Sequence, residues 1–385
     1  MTEFATVRHD ACPSLEDLAT QSGHLMHAGR RRHYRRHTDL QQNQLSRRGS
    51  RVYALAGHLS VWLPERALAG AVVSLFVEKV PVYYVYAIGL TAWVATLVLY
   101  IVLFLATFGR RPDRGLLFAF IVGSPFFFKN FLFSIGHFDI YGCTFGLIAL
   151  LIRTSPVYLV IMTTGCAVLL LMNHLHLLLY IPTITFIVII RYYILLPTSH
   201  GKMLAGIGAL AILSVIFLTV LLANSTVPPE TLFAYMKTRA LDPLGAEFLR
   251  IWYWELSVET PQVWAAFPKR ALRIPVYFAL LALHLPLIVF FKDTVRAIAA
   301  QQERMLVLIG LALITAAHPI MWAVIHDQAR LVSSWAVCML LSMHAAMLLP
   351  TRPGAAPGNI DSRRINRLFA WSVTFVPRVG IVVPF

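Results

Sequence analysis

The chain has little charge. Only 13% of its residues are Asp, Glu, Lys or Arg, where a soluble domain carries about a quarter. An ordinary water-soluble globule is therefore excluded. Four cysteines occur, Cys12, Cys143, Cys166 and Cys338, and none forms a close pair. Zinc-type cysteine pairs are therefore missing, and the three cysteines inside apolar runs read as small packing residues. The sequence also lacks a Gly-rich phosphate loop, a G-x-S-x-G elbow and a D-x-D pair, the usual marks of nucleotide-phosphate, serine-hydrolase and metal-nucleotide chemistry. Short alternating segments of the β-barrel kind are missing. So are an internal repeat and a signal peptide, since the early charged stretch is not followed by an apolar core.

What the chain has is apolar residues, 58% of the total, gathered into long blocks. Roughly 18 or more apolar residues cross a hydrocarbon core of about 30 Å. Backbone in lipid must satisfy its own hydrogen bonds, so such blocks are helices. The expected fold is all-α, a polytopic transmembrane bundle of about nine spans (eight to ten) with a long outer-face loop. The spans fall at 83–108, 116–133, 140–152, 157–172, 174–195, 203–223, 271–291, 305–325 and 331–349. The second is broken by Ser124-Pro125 and Lys129-Asn130, which predicts an interrupted helix.

Four regions follow. Residues 1–66 hold ten arginines and no apolar block, and read as a disordered basic segment. Residues 67–349 form the transmembrane domain, opened by a short interfacial piece at 67–77 and containing the outer loop at 224–270. Residues 350–385 are a basic tail ending in a last interfacial or membrane segment at 368–385. Loop charge orients the bundle. Arg110, Arg111 and Arg114, then Arg153, Arg191 and Lys202, Lys292, Arg296 and Arg304, and Arg352, Arg363 and Arg364 fall in alternate loops. Those loops are expected in the cytoplasm. The formal charge of +15 is then a topology signal, and no nucleic-acid partner is expected. This orientation puts the basic N-terminal segment outside. A cryptic span between 52 and 77, translocation of the segment, or a start further along the chain would each explain that.

Four motifs lie in the loops assigned to the outer face. The first is Gly136-His137-Phe138-Asp139-Ile140-Tyr141-Gly142. A carboxylate at a span mouth is costly unless hydrated or paired. Asp139 and His137 are candidate catalytic bases, or Asp139 caps the helix that follows. The second is Asn173-His174-Leu175-His176, leading to Tyr180 and Pro182. Histidines at i and i+2 point to different sides of a helix and would not chelate one metal. One of them could face the interior, toward Asp139 or Asp327. The third is His326-Asp327-Gln328-Ala329-Arg330. The guanidinium of Arg330 suits a phosphate or pyrophosphate. Asp327 could act as a base or hold that arginine, or the two could form a local i,i+3 pair. The fourth is the long loop with Arg239, Arg250, Trp252, Trp254 and Trp264, which suits sugar stacking or an amphipathic helix at the headgroups.

Gly-x-Phe138-Asp139 at a span mouth, a His-containing loop before Pro182, and His326-Asp327-x-x-Arg330 before a late span give a resemblance over about 116–349. The chain resembles multi-pass bacterial surface-polysaccharide proteins, the sugar polymerases and C-type lipid-linked glycosyltransferases. The resemblance implies sugar transfer from a polyprenyl-phosphate-linked donor at the outer face of the bacterial inner membrane. Asp139, His137 and Asp327 would be catalytic. Arg330, His326, His174, His176, Arg250, Arg239 and Trp254 would bind substrate. No cofactor is implied, and a divalent metal is left open. Partners would be the lipid-linked sugar, the bilayer and other polysaccharide-assembly proteins. A flippase of a lipid-linked glycan and a membrane acyltransferase are the alternatives.

Overall fold

The computed structural model describes residues 76–376, apart from 78, 80, 134–137, 174, 196–198, most of 223–255, 272–273, 325–327, 355–359 and 361–362. The described chain is helical, without a strand. One isolated antiparallel bridge joins Ile298 to Thr351. The expected disordered segment at 1–66 lies outside the described residues, as does most of the interfacial piece at 67–77 and of the loop at 224–255.

Three described helices are long and apolar enough to cross a membrane. They lie within α1 (Val82–Phe108), α13 (Gln301–Val324) and α14 (Gln328–Ala346). At 1.5 Å per residue, the 27 residues of α1 extend about 40 Å. Their outward faces are apolar: Val94, Val98, Val102 and Leu105 on α1, and Leu308, Ile309, Leu313 and Ile320 on α13. A helix buried on one side and oily on the other is suited to lipid.

The remaining expected spans divide. The stretch 116–133 is α2 (Arg114–Val122) and α3 (Phe128–Phe133), parted at Ser124-Pro125. The stretch 140–152 is α4 (Asp139–Leu151), about 20 Å long and too short to cross alone. The helix α5 (Pro156–Met172) starts at a Ser155 cap whose hydroxyl accepts from Tyr158 N at 3.2 Å, with proline at the first helical position. The stretch 174–195 separates into α6 (His176–Leu179) and α7 (Ile181–Leu195). After α8 (Ser199–Leu222), the described part of the expected outer loop includes two short helices, α9 (Leu256–Ala265) and α10 (Phe267–Ala271). The stretch 271–291 is α11 (Ile274–Leu283) and α12 (Leu285–Ala297), bent 65° at His284. The tail helix α15 (Arg364–Phe375) ends the described chain.

The two interruptions meet. Ser124 Oγ and His284 Nε2 stand 2.7 Å apart, both buried, and His284 Nδ1 lies 2.7 Å from the Leu280 carbonyl. The Phe126 N–H donates to Ser124 Oγ, and Ser333 Oγ on α14 donates to the Phe126 carbonyl. Backbone groups released by the breaks are thus met by side chains, as broken helices in membranes require. Lys129 Nζ donates to the Thr374 and Val376 carbonyls at 2.8 and 2.7 Å, closing the C-terminal end of α15.

Cross-contacts fix the helix directions. Asp139 meets Arg330, and one turn further on Gly142 meets Tyr180. Gly146 then meets Leu341, and Arg191 Nη1 reaches the Ala149 and Leu150 carbonyls. Helices α4, α7 and α14 therefore run parallel. Thr96 bonds Thr144 at 2.5 Å and Thr107 meets His344, so α1 runs with them. One end of the bundle gathers basic residues. There Arg111 lies 5.0 Å over the Phe290 ring and holds Asp113 bidentately, Asp113 also accepts the Ile360 N–H, and Arg304 donates to the Ile298 carbonyl. The other end carries Asp139, His176 and Arg330.

Candidate functional site

Asp139 is the first residue of α4, and Arg330 lies in the first turn of α14. Because the two helices run parallel, both N-termini lie at the same end of the bundle. Arg330 Nε stands 2.9 Å from Asp139 Oδ2, with the side chains 15% and 2% exposed. Asp139 is not the cap that its position suggested. Phe138 holds the N-cap without a side-chain bond, and the Asp139 carboxylate turns inward to Arg330. The dipole of α4 still favours that carboxylate. Arg330 has the opposite relation to its own helix, a cation at a positive end, and so depends on its anion.

His176, fully buried, closes a third side. A methyl group on Gly142 would lie 3.0 Å from His176 Nδ1 and would run into the Tyr180 ring. Only glycine permits α4 to come this near. The His176 and Tyr180 rings lie 5.6 Å apart. Below them the Ser334 hydroxyl faces the Tyr180 phenol without a well-formed hydrogen bond, and Cys338 Sγ lies 2.9 Å from the Leu179 carbonyl.

The first and third sequence motifs thus meet directly, through Asp139 and Arg330. The second joins them through His176 and Gly142. His137, His174, His326, Asp327, Arg239, Arg250 and Trp254 lie outside the described residues. Of the aromatic residues of the long loop, Trp264 is described. It is exposed on α9, 5.8 Å from the Phe267 ring, a placement suited to headgroups. Among the described residues no group of three or more His, Cys, Asp or Glu side chains is placed to hold a metal.

Residues of the site that motif reading passed over are Ser334 and Cys338, and Gly142 stood in the first motif without a role. Spacing carried a signal. Arg330, Ser334 and Cys338 recur every four residues, as do His176 and Tyr180, and Asp139 and Cys143. Each set marks one face of a helix turned to a shared interior.

Asp139 and Arg330 cancel in formal charge, and the two helix N-termini beside them add about half a positive charge each, so this end of the two helices favours negative charge. No family model matches this chain, and comparison with curated proteins and with solved structures finds no match.

Proposed function

We propose that the protein is a multi-pass bacterial inner-membrane protein of about nine crossings that transfers a sugar from a polyprenyl-phosphate-linked donor at its outer face. The observation that carries this reading is the Asp139–Arg330 pair at the joint N-termini of α4 and α14. Arg330 would take the donor phosphate and stabilise charge on the leaving oxygen. Asp139, released from Arg330, would accept the proton of the acceptor hydroxyl. Support for the orientation comes from the basic side chains gathered at the opposite end of the bundle. His137, Asp327 and His326 belong to the same proposal by sequence proximity, and Arg239, Arg250 and Trp254 by the resemblance.

The test is consumption of a labelled polyprenyl-pyrophosphate-linked oligosaccharide by purified protein in nanodiscs. Wild type should consume it, and Asp139→Asn and Arg330→Ala should not. Full turnover by both variants would remove the site assignment. A second reading, translocation of a lipid-linked glycan, is favoured by the meeting of two interrupted helices at Ser124 and His284. Protection of the labelled headgroup from an external enzyme, without consumption, would support it.

A further inference from the structure

Sugar transfer at the mouth leaves a set of buried polar groups unused. Tyr100, Tyr180 and His344 are buried in the bundle. The hydroxyls of Tyr100, Tyr180 and Ser334, and His344 Nε2, find no hydrogen-bond partner among the described residues. Phenylalanine would fill the same space without that cost, as Phe104 and Phe128 do beside Tyr100. Buried groups of this kind are ordinarily met by ordered water, each molecule making about three bonds.

These groups are not scattered. Arg330, Ser334, Cys338 and His344 share one face of α14, and Thr96, Tyr100 and Thr107 share the face of α1 turned toward α4 and α14. The Tyr180 ring lies against Gly142, the residue before Cys143 on α4, and Cys338 Sγ lies 2.9 Å from the carbonyl of Leu179, the residue before Tyr180. Thr96, one turn before Tyr100, bonds Thr144, the residue after Cys143, and the Tyr100 ring stands edge-on to His344 at 5.8 Å. His344 Nδ1 lies 3.3 Å from Thr107 Oγ1, one residue from the end of α1. The line runs from the Asp139–Arg330 mouth through Tyr180 and Ser334, the two cysteines, Tyr100 and His344 to Thr107 near the basic end. Arg330 to His344 is fourteen residues of one helix, about 21 Å of a hydrocarbon core of about 30 Å.

We propose that a file of water bridges these side chains and gives the bundle a proton path between the Asp139–Arg330 mouth and the basic end. Each hydroxyl or water takes a proton on an oxygen lone pair and passes its own proton onward. His344 takes one at one ring nitrogen and releases one from the other, and reorientation resets the line. No member changes its net protonation, so no further reactant is needed. Sugar transfer at the mouth does not require a proton to cross the bundle. The path therefore stands apart from that reading, and the two fail separately.

The test uses the full chain in phosphatidylethanolamine–phosphatidylglycerol liposomes loaded with potassium. Valinomycin sets an inside-negative potential, and a pH-sensitive dye reports proton entry. Wild type should admit protons well above protein-free liposomes. Tyr100→Phe and Tyr180→Phe, which keep the ring and remove the hydroxyl, should each slow entry by about tenfold or more, as a broken link demands. Tyr158→Phe removes a buried hydroxyl bonded to the Ala149 carbonyl, off this line, and should leave entry unchanged. No entry in wild type, or wild-type entry in both path variants, would overturn the proposal. Hydroxyl-radical labelling of the wild type gives a second readout that needs no variant. Oxidation of Tyr100 in the folded protein is expected, and its protection to the level of the Tyr158 ring would also overturn the path.

Discussion

Removing Arg330 should destabilise the bundle far more than its partial exposure suggests. Asp139 is 2% exposed and rests 2.9 Å from the guanidinium. Arg330→Ala leaves a buried carboxylate facing a vacated space, a change that typically costs about 3–5 kcal/mol. Asp139→Asn leaves the cation instead, close to the positive end of α14, and should cost a similar amount. The double variant Asp139→Asn/Arg330→Met should recover much of the loss, because a buried pair exchanged for neutral groups of similar size is often near neutral. For a chain this large the single-variant loss corresponds to a fall of roughly 5–15 °C in apparent Tm. The protein carries its own reporter. Cys143, Cys166 and Cys338 are buried and free, and two of them neighbour Tyr180 beneath the pair. In a Cys12→Ser background, a thiol-reactive fluorophore should stay dark until the bundle opens. The experiment is a thermal ramp with that dye on wild type, both single variants and the double variant in one detergent. Additive losses in the double variant would refute the coupling, as would an Arg330→Ala midpoint equal to wild type.

Three further outcomes follow from the packing. Gly142→Ala would drive a methyl group into the Tyr180 ring and toward His176 Nδ1, so it should cost about 1–3 kcal/mol by overpacking and lower the midpoint in the same thiol assay. At the basic end, burial would raise the Asp113 carboxyl, but bonds from Arg111 and the Ile360 N–H outweigh it and hold the group below its usual value of 3.8. Its contribution is therefore present above about pH 3.8 and lost as pH falls through the lower folded value, so Asp113→Asn should flatten the acid limb of a stability–pH profile and leave its slope above pH 5 unchanged. Arg191 donates to the Ala149 carbonyl and to Thr154 Oγ1 at the exit of α4. Arg191→Leu should cost about 1–3 kcal/mol and expose the 149–154 turn to faster amide hydrogen exchange.

Run length alone located most helices. The stretch 83–108 became Val82–Phe108, and 157–172 became Pro156–Met172, because in lipid an apolar block has no alternative to the helix. Ser124-Pro125 announced the first break. The 65° bend at His284 was less visible, since that histidine is the one polar break between long apolar runs, though Pro286 starts α12 there as a first-turn proline. The division at Tyr180 was hidden likewise, with Pro182 as its trace. Candidate residues at the mouth were legible from the cost of charge near lipid, and their pairing was not. Asp139 and Arg330 lie on helices far apart in sequence, so a local reading gave Asp139 a cap and Arg330 a neighbour at 327. The parallel run of α4 and α14 brings Arg330 to Asp139, and Asp327 lies outside the described residues.

On the proposed function, the Asp139–Arg330 pair receives a lipid-linked phosphate. Native mass spectrometry of the full chain, titrated with polyprenyl phosphate, measures this most directly. Wild type should retain the lipid. Arg330→Ala should weaken it by about tenfold or more, and Arg330→Lys should keep part of the affinity as a point charge without the two-bond grip. Equal affinity in wild type and Arg330→Ala would contradict the claim, as would binding unaffected by the phosphate and set by the prenyl chain alone.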